Sequence, residues 1–133
     1  DVHLVNFGKQ RAENISCTAS ALKNHIPFTF HQDTPVILPD MLESVWAAVN
    51  RITKNGVVLG EQQRISVLEA LKAVTNAAYQ YFEEDRKGTL EAGKLADLVI
   101  LNEDPLKAEP MKLRDIQVME TIKEGRTIYK KAA

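Results

Sequence analysis

The apolar residues of this 133-residue chain change their period once, near residue 82. Before that point they recur every three or four positions, the spacing that gathers side chains on one face of a helix. Leu42, Val45, Trp46, Val49 and Ile52 form one stripe, and Val67, Leu71, Val74, Ala78 and Phe82 form another. After it comes one continuous apolar run, Leu98-Val99-Ile100-Leu101, and then two short segments, Val118 to Ile122 and Arg126 to Lys130, flanking Glu124-Gly125. Such an order predicts an α+β chain, helical over 1–82 and strand-rich over 83–133. At 14.9 kDa the chain has the size of one domain, so these zones are too small for two comfortable domains.

Local signals set the expected element ends. A helix is predicted over about 16–25, with Ser16 or Thr18 as N-cap and Pro27 beyond it, because proline disfavours helical geometry in the residue before it. Asp40 and Glu43 have capping-box spacing at the start of a helix over about 41–54, which Asn55-Gly56 should stop. Ser66 and Glu69 repeat that spacing ahead of a helix over 66–82. Residues 1–14 are mixed and polar, punctuated by Gly8. Leu98 to Leu101 reads as a buried strand. Asp104-Pro105 and Glu109-Pro110 mark a loop with little room for regular structure. Glu124-Gly125 is a hairpin signal between two strands. Trp46 is expected in the core, Cys17 in helix packing, and the 83–87 charge cluster in a solvated turn.

Phe28-Thr29-Phe30-His31 is aromatic and β-branched and follows a proline, so it reads as a strand. Alternation then sends Phe28 and Phe30 to one face and Thr29, His31 and Asp33 to the other. A strand with an apolar layer behind and polar groups in front suits a catalytic position, since strand carboxyl ends in α/β folds commonly carry reactive side chains. Asp33 at such an end is suited to ligating a divalent metal or to accepting a proton from water. The competing reading is an Asx-type turn ahead of Thr34-Pro35, and for His31 a hydrogen-bonded core histidine. His3, near a terminus, and His25, at a helix end, carry no such signal.

Charge and composition exclude several classes. The chain balances 17 Lys+Arg against 18 Asp+Glu, so no basic stripe supports nucleic-acid binding. No apolar run approaches the roughly 20 residues that a membrane helix needs, so no membrane partner is expected. Cys17, the one cysteine, makes no internal disulfide and no Cys-based zinc site. With no signal-peptide pattern at the start, a reducing, cytoplasmic location is the expectation.

The order of segments resembles a known family. Phe28 to Val36 resembles the last barrel strand and its Asp in metal-dependent amidohydrolases, in the branch that includes the N-substituted formamide deformylases. Trp46 to Arg51 is similar to that branch's next helix, and Arg64 to Leu71 with Asn76 to Tyr79 to the helix after it. Gly88 to Leu101 resembles the stretch by which such chains leave the barrel and re-enter a small β-sandwich. Val118 to Lys130 resembles the closing hairpin. The resemblance runs over about 8–131.

It implies the carboxyl-terminal segment of a (β/α)8 amidohydrolase barrel, last strand plus helices, followed by returning strands of a small composite β-sandwich. The longer enzyme would hydrolyse a non-peptide C–N bond, of amide or formamide type, in a small molecule, using a divalent metal, zinc first. Asp33 would contact the metal and accept the proton of the attacking water, and His31 would face the substrate or support a ligand. The other ligands are absent here, and a complete barrel needs about 250 residues. The isolated chain is therefore expected to be inactive and to bind no metal alone. Its expected partners are the rest of the barrel or another copy of itself, through the Phe28–His31 edges and the stripe of Leu42, Val45, Trp46 and Val49. The rival expectation is a small standalone α+β association module with no active site.

Overall fold

The computed structural model describes residues 1–132. Among the described residues five α-helices precede three strands: α1 (Val2–Ala12), α2 (Thr18–Lys23), α3 (Met41–Asn50), α4 (Val67–Thr75), α5 (Ala77–Gln80), β1 (Leu98–Leu101), β2 (Val118–Lys123) and β3 (Arg126–Lys130). Short 3-10 helices occupy Glu61–Gln63 and Pro110–Asp115. The helix-then-strand order read from the sequence is present. No helix among the described residues is long and apolar enough to cross a membrane.

The core is built on α3. Asp40 caps it, its carboxylate accepting from the backbone N–H groups of Leu42 (3.0 Å) and Glu43 (3.4 Å), which satisfies donors that a helix start leaves orphaned. Leu42, Val45, Trp46 and Ala48 are buried with Ile65, Ala70, Leu113 and Ile116. The helical and strand-rich zones thus share one apolar cluster. The Trp46 indole N–H donates to the Met111 carbonyl at 3.0 Å. Buried Asn50 donates from Nδ2 to the carbonyls of Trp46 (3.0 Å) and Pro110 (2.8 Å). Just past the loop marked by Asp104-Pro105 and Glu109-Pro110, Pro110–Asp115 forms a 3-10 helix against α3, which supplies these partners.

Helix ends differ from the expectations. α3 stops at Asn50, four residues early, because Arg51 takes the left-handed conformation (φ 57°, ψ 37°). The chain then turns through Gly56, and Ile52 pairs with Val58. Ser66 caps α4 as the spacing predicts, its hydroxyl accepting from Glu69 N–H at 3.2 Å. The helix breaks at Asn76, however, and Phe82, expected on its buried face, is 91% exposed with φ 55°. α2 is capped by neither Ser16 nor Thr18. The Thr18 hydroxyl is instead spent on the Gln63 carbonyl at 2.8 Å, a tertiary bond outweighing a local cap. Residues 2–12 form a helix kinked at Gly8 (φ 73°, ψ 163°), held by the Asp1 carboxylate, which accepts from the Thr53 hydroxyl at 2.8 Å.

The strands form one antiparallel sheet in the order β1-β2-β3, with Val99 facing Thr121 and Thr121 facing Tyr129. The hairpin turn is where the sequence placed it, with positive φ at Glu124 (49°) and Gly125 (76°), the signs of the hairpin turns that match strand twist. β1 is not buried as expected: Val99 is 59% and Ile100 47% exposed. Both are apolar, and the sheet leaves them without a covering layer among the described residues.

Candidate functional site

The predicted strand at Phe28–His31 is absent; the segment is an irregular connection after α2. A strand exists through ladder bonds to neighbours, and none of the three strands runs beside this stretch. Its side chains still sort partly as alternation requires. Phe28 and Phe30 pack against the α3 core with ring centroids 5.8 Å apart, and His31 is exposed. Thr29 is half-buried.

A loop over 32–40 follows, closed by the Gln32 side chain, which donates to the Asp40 carbonyl and accepts from Asp40 N–H at 2.7 Å. Asp33 lies at its start, exposed, with φ 56°. The Asx-type turn does not form, since Pro35 has no N–H to offer. The turn is closed instead by the Asp33 carbonyl, which accepts from Val36 N–H at 2.8 Å, and by the Thr34 hydroxyl, which donates to the Ile37 carbonyl at 3.1 Å. Among the described residues no hydrogen bond occupies the Asp33 carboxylate.

Just before this loop in the chain, His31 lines an open cleft of about 500 Å³ together with Cys17 and Thr18 at the start of α2, Ser44 and Ala47 of α3, and Arg51 just beyond it. Cys17 is exposed rather than packed, its thiol donating to the Asn14 carbonyl. The cleft's back wall is fixed by Arg51. Its guanidinium donates from Nε to the Leu59 carbonyl (2.9 Å) and from its two amino nitrogens to Ser16 (3.1 Å) and Ile15 (2.9 Å). Burial lowers the Arg51 pKa from its ordinary value, and the neighbouring Cys17 pulls it back up. Gly60 makes this clamp possible: a Cβ there would meet the Glu13 carbonyl oxygen at 2.0 Å and an Arg51 amino nitrogen at 3.0 Å.

The structure therefore brings His31 to the cleft, with Asp33 two residues on along the loop. His3, stacked on Phe7, and His25, exposed beyond α2, stand outside the cleft's lining. Arg51 is the side chain that residue patterns passed over. Its partners are carbonyls 8, 35 and 36 residues away, and carbonyls leave no trace in residue type. Among the described residues no group of three or more His, Cys, Asp or Glu is arranged to hold a metal ion.

Comparison with known proteins agrees with the family that the segments resemble. A family model described as "Amidohydrolase family" matches residues 2–129. An N-substituted formamide deformylase of Arthrobacter pascens is 34% identical over 90 residues, 67% of this chain and 17% of that protein. YtcJ of Bacillus subtilis strain 168, which carries an amidohydrolase name, is 26% identical over 130 residues, 95% of this chain and 25% of that protein. No solved structure matches significantly. The chain spans a quarter or less of the length of these relatives. Since the family model covers nearly the whole chain, in step with the segments described above, the chain belongs to the amidohydrolase family.

Proposed function

We propose that this chain is the carboxyl-terminal portion of a longer metal-dependent amidohydrolase that cleaves a non-peptide C–N bond, of formamide or amide type, in a small molecule. The observation that carries the reading is the similarity to a formamide deformylase, together with a family match running through the Phe28–Val36 segment. Residues 1–82 would complete the barrel and 83–133 would contribute strands to a composite sandwich.

Among the described residues no three His, Cys, Asp or Glu are grouped so as to hold a metal ion. Asp33 would be one ligand of a set completed outside this chain, and zinc is the first ion to test. The chemistry assigned to this chain's own groups is limited to two. The Asp33 carboxylate, exposed and engaged by no hydrogen bond among the described residues, accepts a proton from the attacking water, a role open to a carboxylate. His31, at the cleft, orients the carbonyl substrate.

The test is to read the frame upstream of Asp1 and to assay the longest product against N-substituted formamides. The expected result is an HxH pair after an apolar strand and hydrolysis by the long product, with none by residues 1–133 alone. Turnover by the 133-residue chain above a metal-only blank would overturn the division of the site.

A further inference from the structure

We propose that Gln32 is a positioning residue for Asp33: its carboxamide fastens the start of the Asp33 loop to the capped end of α3 and so sets where the carboxylate stands. The proposal rests on the reading of Asp33 as a metal-contacting proton acceptor. Gln32 lies between His31 and Asp33, the two side chains given to the reaction. Both of those are exposed, whereas Gln32 is half-buried. A side chain turned inward between two turned outward is placed to hold them, not to join the chemistry.

The contact has two points. Gln32 Nε2 donates to the Asp40 carbonyl, and Gln32 Oε1 accepts from Asp40 N–H at 2.7 Å. A backbone N–H only donates and a carbonyl only accepts, so these partners fix which way the amide lies. A carboxamide offers donor and acceptor side by side, and a methionine of the same length offers no such pair. Asp40 is itself held, since its carboxylate caps α3 through Leu42 and Glu43 N–H. α3 in turn carries the buried Leu42, Val45 and Trp46. Both partners of the clip lie in this chain, so the contact does not depend on what covers the exposed surfaces in a longer protein.

The direction of the Asp33 carboxylate follows its backbone, because no hydrogen bond engages it among the described residues. That backbone is left-handed, with φ 56°, a region that residues other than glycine keep where their surroundings hold them there. The bond from Val36 N–H to the Asp33 carbonyl, 2.8 Å, shapes the inside of the loop. Gln32 closes its two ends, eight residues apart. Without the clip the turn remains but loses its tie to α3, and the carboxylate spreads over several positions. Hydrogen-bonded supports of metal-binding groups typically matter about 10–100-fold in metal affinity or activity.

The test uses the longer enzyme. With metal stripped by a chelator, Gln32→Met should speed amide exchange at Val36 and Asp40 about tenfold, the weight of the lost hydrogen bonds, and leave α4 unchanged. Zinc affinity, read by competition with a chelating dye, should fall about 10–100-fold, and kcat toward N-substituted formamides should fall with it. Gln32→Asn keeps the carboxamide but is one methylene short of both partners, and should lose in the same direction. Added to Asp33→Asn, Gln32→Met should change zinc affinity by less than about twofold, because its effect runs through Asp33. A glutamine that only stabilises the fold would act alike in both backgrounds, and that result would overturn the inference. So would unchanged exchange at Asp40, or Gln32→Met at the parent's zinc affinity while Asp33→Asn is impaired; either leaves the reading of Asp33 standing. A parent that binds no zinc, or Asp33→Asn with the parent's affinity, would remove that reading and the inference with it.

Discussion

The guanidinium of Arg114 lies 4.0 Å from the centroid of the Trp46 ring, while the edge of that ring donates to the Met111 carbonyl. One aromatic side chain thus joins α3 to the 3-10 helix between β1 and β2 by a stacked cation, a hydrogen bond and buried apolar area. Trp46→Ala should cost about 3–5 kcal/mol, the usual cost of emptying a buried aromatic site. Arg114→Ala should cost only about 0.5–1 kcal/mol, because its guanidinium is partly in water. Urea unfolding of both variants checks the ratio.

Gly60 and Gly56 form a matched pair of tests. Both have positive φ, 70° and 80°, but a Cβ at Gly56 meets nothing within 4 Å. Gly56→Ala should cost about 1–2 kcal/mol, the conformational term alone. Gly60→Ala adds a collision with backbone at 2.0 Å and should exceed that by at least about 1–3 kcal/mol of strain. Equal melting temperatures for the two variants would show that the Glu13–Gly60 approach is looser than described.

Arg51→Lys should destabilise the chain by about 1–3 kcal/mol, the range for hydrogen bonds to charged groups. A lysine brings one nitrogen to a place where three carbonyls are arranged around a planar fork. Because the clamp holds Ile15 and Ser16, faster amide exchange at residues 15–18 should accompany the loss, with α4 unaffected. Uniform exchange across both regions would contradict a local clamp.

Asp33→Asn should separate chemistry from stability. The carboxylate is exposed and engaged by no hydrogen bond among the described residues, so the free energy of unfolding should stay within about 0.5 kcal/mol of the parent. In the longer enzyme proposed above, kcat should fall by about 10²–10⁴-fold, the contribution of a general base. A mutant within threefold of the parent would remove Asp33 from proton transfer.

The parts of the fold legible in the sequence are those set by nearby atoms. Asp40 and Ser66 cap helices as their spacing predicts, and Glu124-Gly125 turns the hairpin. What residue patterns missed depends on distant partners. Phe28 to His31 has strand composition but no adjacent strand to bond. α3 ends at Asn50, and left-handed Arg51 beyond it turns its side chain to three carbonyls, partners invisible in the apolar stripe. That stripe also proved self-sufficient: Leu42, Val45 and Trp46 are buried within the chain, which removes them as grounds for self-association. For the candidate site, the family could be read from segment order, and the family match agrees. The cleft wall could not be read, because carbonyl oxygens are common to every residue.

The span between Trp46 and its partner at Met111, 65 residues, has a consequence during synthesis. A ribosome adding about 5–20 residues per second releases α3 several seconds before the carbonyl that receives its indole, and before Leu113 and Ile116. For that interval the apolar side of α3 is a nascent helix without its lid, open to any chaperone that scans emerging chains. Slow codons within 56–110 would lengthen the exposure, and rapid ones would shorten it, without changing a single residue of the finished protein.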